Sequence, residues 1–174
     1  MPFINGGELY KVFSKFKRFP EDIVKFIGTQ IILGLGALHE QGYMHRDMKL
    51  ENIMIDQNGY IKLIDFGLAK LIGHEATTLC GTAEYMAPEM VSEVGHEFAV
   101  DWWATGILLY EMVVGITPFF NKNRYQLFEN IKGKKPKFPD RSRYSIEYTD
   151  ELVDLISRLL EKDPQKRLGS NGDA

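Results

Sequence analysis

Three short groups of residues in the 174-residue sequence have side chains that can do chemistry together. The first is His45-Arg46-Asp47-Met48-Lys49-Leu50-Glu51-Asn52, the second Asp65-Phe66-Gly67 and the third Ala87-Pro88-Glu89. Asp47 is a carboxylate that can accept a hydrogen bond from a hydroxyl and take its proton late. Lys49, two residues on, can offset negative charge beside it. Asn52 and Asp65 are hard oxygen donors of the kind Mg²⁺ takes, with water and phosphate filling its other positions. Gly67 lets the backbone turn sharply straight after Asp65. The alternative is a solvated polar loop in which the Asp/Lys/Asn spacing is accidental.

Such groups need a scaffold, and the flanking segments predict one. Pro20-Glu21-Asp22 opens a helix, with proline in the first turn and two acids at the positive end of the dipole. Ile23, Phe26, Ile27, Ile31, Leu35 and Leu38 then recur at helical spacing until Gly42. A shorter helix is predicted over 8–16, with Leu9, Val12, Phe13 and Phe16 on one face. Residues 53–55 and 60–64 are β-rich runs around Asp56-Gln57-Asn58-Gly59, a hairpin signal through its Asn-Gly pair. A calcium loop fails there, because Gly59 sits at the wrong offset from Asp56. Residues 67–95 have no sustained period and read as a long ordered loop. Residues 98–115 are apolar on nearly every side. Asp101 and Glu111 interrupt them, so a buried helix is predicted rather than a membrane span. Two further helices are predicted over 125–131 and 149–160. The fold class is mainly α with one small β-hairpin.

Composition narrows the setting. A net charge of −3, 44% hydrophobic and 26% charged residues suit a globular domain and give no general case for nucleic acid or an anionic membrane. The one cysteine, Cys80, excludes an internal disulfide framework and favours a reducing, cytoplasmic setting, with the nucleus as a second possibility. The first residues have no basic segment followed by an apolar stretch, so no signal peptide is expected. A nucleic-acid module is set aside for want of a basic stripe or aromatic platform.

In their order, the three groups resemble the H-R-D-x-K-x-x-N, D-F-G and A-P-E signatures of eukaryotic protein kinases, ahead of a buried helix beginning Asp101-Trp102-Trp103. The resemblance covers essentially all 174 residues and implies a protein-kinase-like fold, large C-terminal lobe only. It places a hinge at 1–8, a catalytic loop at 43–52, an activation segment at 65–89 and a helical lobe to 174. It implies ATP and Mg²⁺ as cofactors and transfer of the γ-phosphoryl group to Ser or Thr of protein substrates, a reaction that needs positioning and charge neutralisation. Asp47, Lys49, Asn52 and Asp65 would be catalytic, with Asn52 and Asp65 on the metal. Glu89 would pair with Arg167, and Asp101 would hold the backbone of the His45-Arg46 turn, all three as scaffold.

The segment from Thr77 to Glu89 resembles the AGC group of serine/threonine kinases, which includes the cyclic-nucleotide-dependent kinases and protein kinase B. Thr78 then lies where an upstream activating kinase adds a phosphate, with Arg46 and Lys70 as matching cations and Thr77 as a competing site. Thr82 resembles the threonine that bonds the catalytic Asp, and Ala83 departs from the usual proline. In the hinge, Pro2 and Ile4 would bond adenine and Glu8 the ribose, while Lys49, Glu51, Asn52, Met54 and Asp65 would complete the ATP site. Glu8, Glu51 and Glu111 match acids that bind basic residues before the acceptor.

The resemblance also marks what the sequence lacks: a glycine-rich phosphate loop, a strand lysine and its partner glutamate. Two expectations follow. One is a fragment of an active kinase, feeble on its own. The other is a catalytically silent truncated paralogue acting as a binding or decoy module.

Overall fold

A computed structural model describes residues 6–71, 81–94 and 97–170. The chain opens with α1 (Leu9–Phe16) and α2 (Glu21–Glu40), then strand β1 (Tyr43–Met44) and a 3₁₀ turn at Leu50–Asn52. A hairpin of β2 (Ile53–Ile55) and β3 (Ile61–Leu63) follows, then a 3₁₀ turn at Phe66–Leu68 and β4 (Lys70–Leu71). A third 3₁₀ turn (Ala83–Tyr85) leads into α3 (Pro88–Val91), α4 (Ala99–Val114), α5 (Arg124–Gly133), α6 (Arg141–Tyr144) and α7 (Asp150–Leu159). The architecture is mainly helical, with two small antiparallel pairs, β1–β4 and β2–β3.

Helix α4 is the axis of the core. Every residue from 99 to 110 is buried, as are Met112 and Val113, because α2 and α7 both pack against it. Gly106 permits the approach of α7: a Cβ there would lie 2.9 Å from both Leu159 and Leu160. Gly115, in the left-handed region at φ 98, ends the helix.

Helix α2 keeps Ile27, Ile31, Leu35 and Leu38 of the predicted stripe against the core but not its first two residues. Val24, Ile27, Gly28, Ile31 and Leu35 face the core, whereas Ile23 and Phe26 are 42% and 48% exposed. The first turns of the helix carry apolar residues on two faces, Ile23 and Phe26 on one and Val24 and Ile27 on the other, and packing against α4 selects one. By length and composition α2 is also the one helix among the described residues long and apolar enough to cross a membrane. In α1 the buried stripe is narrower than predicted: Leu9 and Phe13 are inside and Phe16 is exposed.

The hairpin pairs Ile53 with Leu63 and Ile55 with Ile61. Its loop is not a two-residue Asn-Gly turn. Asp56 closes it, its Oδ1 accepting from the amides of Asn58 at 2.8 Å and Tyr60 at 3.0 Å. The long aperiodic segment is less irregular than its composition suggests, since it contributes β4, two 3₁₀ turns and α3.

A buried ion pair ties that segment to the end of the chain. Arg167 Nη1 donates to Glu89 Oε1 at 2.6 Å and Nη2 to Oε2 at 2.9 Å. The guanidinium also donates to the carbonyls of Ala99 and Glu161. The bidentate fork and these carbonyls satisfy a charge that would otherwise be costly in the core. Replacing Glu89 by Ala strands Arg167 without its counter-charge and is expected to cost about 3–5 kcal/mol of stability. Removing both charges with Glu89→Leu and Arg167→Met should recover much of that loss in urea unfolding. A Glu89→Ala variant as stable as the parent chain contradicts this account.

Candidate active site

The site is built on the turn between β1 and the 3₁₀ turn at Leu50–Asn52. Asp101, 1% exposed in the first turn of α4, anchors it. Its Oδ2 accepts from the His45 amide at 2.8 Å and its Oδ1 from the Arg46 amide at 2.8 Å. His39 Nε2, from the last turn of α2, lies 2.8 Å from the same Oδ2. Arg46 is thereby held in the left-handed region at φ 67, an uncommon place for a side chain with a Cβ. The His45 ring locks the turn from the other side. Its Nδ1 accepts from the Asp47 amide at 3.4 Å, so Nε2 carries the proton given to the Ile64 carbonyl at 3.1 Å.

The turn presents the Asp47 carboxylate, buried and surrounded by donors. Lys49 Nζ lies 2.7 Å from Oδ2, and Asn52 Nδ2 3.1 Å from the same oxygen. Asn52 Nδ2 also donates to the Asp47 carbonyl at 2.8 Å. Across the site, the Thr82 amide donates to Oδ1 at 3.2 Å, and Lys49 Nζ reaches the Thr82 hydroxyl at 3.2 Å. Gly81 makes this approach possible: at φ 91, a Cβ there would lie 3.0 Å from the Arg46 carbonyl and 3.4 Å from Asp47 Oδ1. Asp47, Lys49, Asn52 and Thr82 are therefore one connected group, although Thr82 lies 33 and 35 residues along the chain from Lys49 and Asp47.

Asp65 stands beside it. The Ile64 amide donates to the Asn52 carbonyl at 2.9 Å, so Asp65 follows one residue along the chain from that contact. Asp65 is itself left-handed at φ 61, and its Oδ1 accepts from the Gly67 amide at 3.2 Å. Both hydrogen bonds of Asn52 Nδ2 go to Asp47, which leaves its Oδ1 available to a ligand. Among the described residues no three His, Cys, Asp or Glu side chains form a metal cage. An amide oxygen plus a carboxylate instead fits a Mg²⁺ ion that keeps water and phosphate for its remaining positions.

Of the three acids assigned to substrate, the structure brings two together. Glu111 accepts a very short hydrogen bond from the Tyr85 hydroxyl. Burial, with the charges of Glu51 and Glu84 nearby, pushes the Glu111 carboxyl up to about 7, although the Tyr85 bond opposes the shift. Burial and Glu111 raise the Tyr85 phenol in turn. Glu8 pairs with Lys11 at 2.9 Å and is bridged to Met54 on the hairpin. Arg46 Nε donates to the Leu68 carbonyl at 2.7 Å, and Lys70 pairs with Met44 across β1–β4. Pro2, Ile4, Thr77, Thr78 and Cys80 lie outside the described residues.

Sequence reasoning did not single out Tyr85 or His39. Tyr85 follows Glu84 in the aperiodic segment, and a phenol beside acids, in need of a hydrogen-bond partner, is the signal it offered. His39 closes an amphipathic helix, where a histidine reads as an ordinary C-terminal residue.

Comparison with known proteins agrees with this geometry. The protein kinase domain family matches residues 1–172. The chain is 45% identical to the RAC serine/threonine-protein kinase of Drosophila melanogaster over 99% of its length, covering 28% of that protein. It is 42% identical to cAMP-dependent protein kinase type 3 of Saccharomyces cerevisiae, over 98% of the chain and 41% of the relative. It is also 42% identical to protein kinase C delta type of Mus musculus, over 99% of the chain and 25% of the relative. The chain thus spans between a quarter and two-fifths of these proteins. From its residues and these likenesses together, it belongs to the protein kinase domain family, alongside the AGC serine/threonine kinases.

Proposed function

We propose that this chain is the large-lobe half of a serine/threonine protein kinase that transfers the γ-phosphoryl group of ATP to protein substrates. The observation that carries the reading is the Asp47 carboxylate, held by donors from Lys49, Asn52 and Thr82. In that cage Asp47 keeps one orientation, so it can align an incoming hydroxyl and accept its proton late. Lys49 Nζ, already between Asp47 and Thr82, sits where it can offset charge on the group in transfer. Asn52 and Asp65 would hold Mg²⁺, which neutralises the phosphate oxygens when bound with the nucleotide. Pro2 and Ile4 would receive adenine, Glu8 the ribose, and Glu51 and Met54 would complete the nucleotide site. Thr78, within an activation segment over 65–89, would take a phosphate from an upstream kinase, paired by Arg46 and Lys70.

The sequence holds no G-x-G-x-x-G element to cover the phosphates. The chain alone is therefore expected to turn over feebly, and a small lobe supplied before residue 1 should restore activity. In such a chimera Asp47→Asn is expected to lower kcat by about 10²–10⁴-fold with little change in the KM for ATP. A chimera as inactive as the isolated chain favours the silent binding module, and full turnover by Asp47→Asn removes Asp47 from the mechanism.

Substrate preference follows from Glu111 and Glu51, with Glu8 as the third acid. A basic residue shortly before the acceptor would take the acidic patch around Tyr85 as its partner. Because the Glu111 carboxyl is pushed up to about 7, it is protonated below that pH and must lose its proton to bind a cation. The KM for an arginine-bearing peptide in the chimera should therefore rise as pH falls below 7, by up to about tenfold per pH unit. A peptide with those basic residues replaced by alanine should bind weakly at every pH. Equal KM profiles for the two peptides contradict the assignment.

A further inference from the structure

Net charge conceals a basic run. Residues 132–143 carry Lys132, Lys134, Lys135, Lys137, Arg141 and Arg143 against the single acid Asp140, in a chain of net charge −3. This is the basic stripe whose apparent absence set a nucleic-acid module aside, and it lies outside the residues assigned to phosphoryl transfer. Glycine and two prolines interrupt it, so neither periodicity nor overall composition reveals it.

The fold makes the run a rigid strip. Its backbone is fixed from beneath: Tyr110 Oη donates to Lys137 O at 2.5 Å and Tyr148 Oη to Pro139 O, while Lys162 Nζ holds Ile131 O, just before the run, at 2.6 Å. Phe138 packs between the rings of Tyr110 and Tyr148, at 5.1 and 5.7 Å. Pro136 and Pro139 restrict the backbone further. Pro136 and Phe138 are half-buried, while Lys134, Lys135 and Lys137 are exposed. Lys132 pairs with Glu129 and Arg141 with Asp150. Lys134, Lys135 and Lys137 form no ion pair with the described residues.

We infer that this strip docks the protein onto an anionic phospholipid surface. Three features favour a membrane over other polyanions. Three of the strip's four cations without an ion pair among the described residues are lysines, the fourth being Arg143, and lysines are point charges suited to a diffuse negative surface. Among the described residues, Lys134, Lys135 and Lys137 line neither the cleft beside Asp47 nor the one between the start of α2 and α6. Tyr144, 51% exposed and under the Arg143 guanidinium at 5.5 Å, adds an exposed amphipathic ring of the kind that favours a membrane interface. Attraction of this kind needs no lipid specificity and weakens with salt.

The test is sedimentation of the full chain with vesicles of phosphatidylcholine, with and without about one-third phosphatidylserine. The anionic vesicles are expected to bind and the neutral ones not, with binding lost near ~0.5 M salt. Each lysine at such a surface is worth about fivefold, so K134Q/K135Q/K137Q should weaken binding by about 100-fold. The matching Lys→Arg triple variant should bind as the parent does. All three lysines are exposed, so thermal unfolding of each variant, measured alongside, should match the parent. Equal binding to neutral and anionic vesicles overturns the inference, as does undiminished binding by K134Q/K135Q/K137Q. A short DNA duplex bound more tightly than the anionic vesicles at the same salt reassigns the strip to nucleic acid, which also overturns it.

Discussion

The arrangement of the site depends on one buried carboxylate. Asp101 gives up its hydration inside the core, and that cost is offset only because two backbone amides and an imidazole converge on it. Its place in the first turn of α4 adds the positive end of the helix dipole. Since α4 is enclosed on all sides, its rigidity passes through Asp101 to the turn at His45 and Arg46. Arg46 can then stay in a left-handed conformation that a free loop would relax. Asp47 inherits a fixed direction from that turn, and its donors complete the cage.

The same scaffold treats its acids in opposite ways. Asp47, Asp101 and Glu89 are buried, yet each meets donors or a guanidinium that match its oxygens. Glu111 meets other acids and one phenol, and its carboxyl rises to about 7. Its folded value lies above the ordinary 4.5, so its ionisation draws stability down as pH rises between those values. A cation arriving beside it would relieve that penalty. Structure and reactivity are linked here by where compensation is complete and where it is left open.

Much of this was legible in the residues, for identifiable reasons. Helices α2 and α7 announced themselves through apolar periods, α4 through a nearly unbroken apolar run, and the hairpin through two β-rich runs around a turn. The chemistry of Asp47, Lys49 and Asn52 was readable because they are close in sequence. What depended on distant partners was harder to see. The α2 face could not be chosen without α4 beside it, and the pairing of β1 with β4 joins two-residue strands too short to leave a period. The left-handed turns at Arg46 and Asp65 are imposed by partners and not by glycine, so no local signal marks them. Tyr85 and His39 matter through contacts with Glu111 and Asp101, and an isolated tyrosine or histidine in a sequence names neither partner.

The dependence of the catalytic turn on Asp101 can be measured directly by native-state amide hydrogen exchange in Asp101→Ala. The account predicts that the His45 and Arg46 amides lose protection by about 10- to 100-fold beyond any loss at buried amides within α4. If those two amides keep their protection relative to α4, the turn is held by something other than Asp101, and the central claim is wrong.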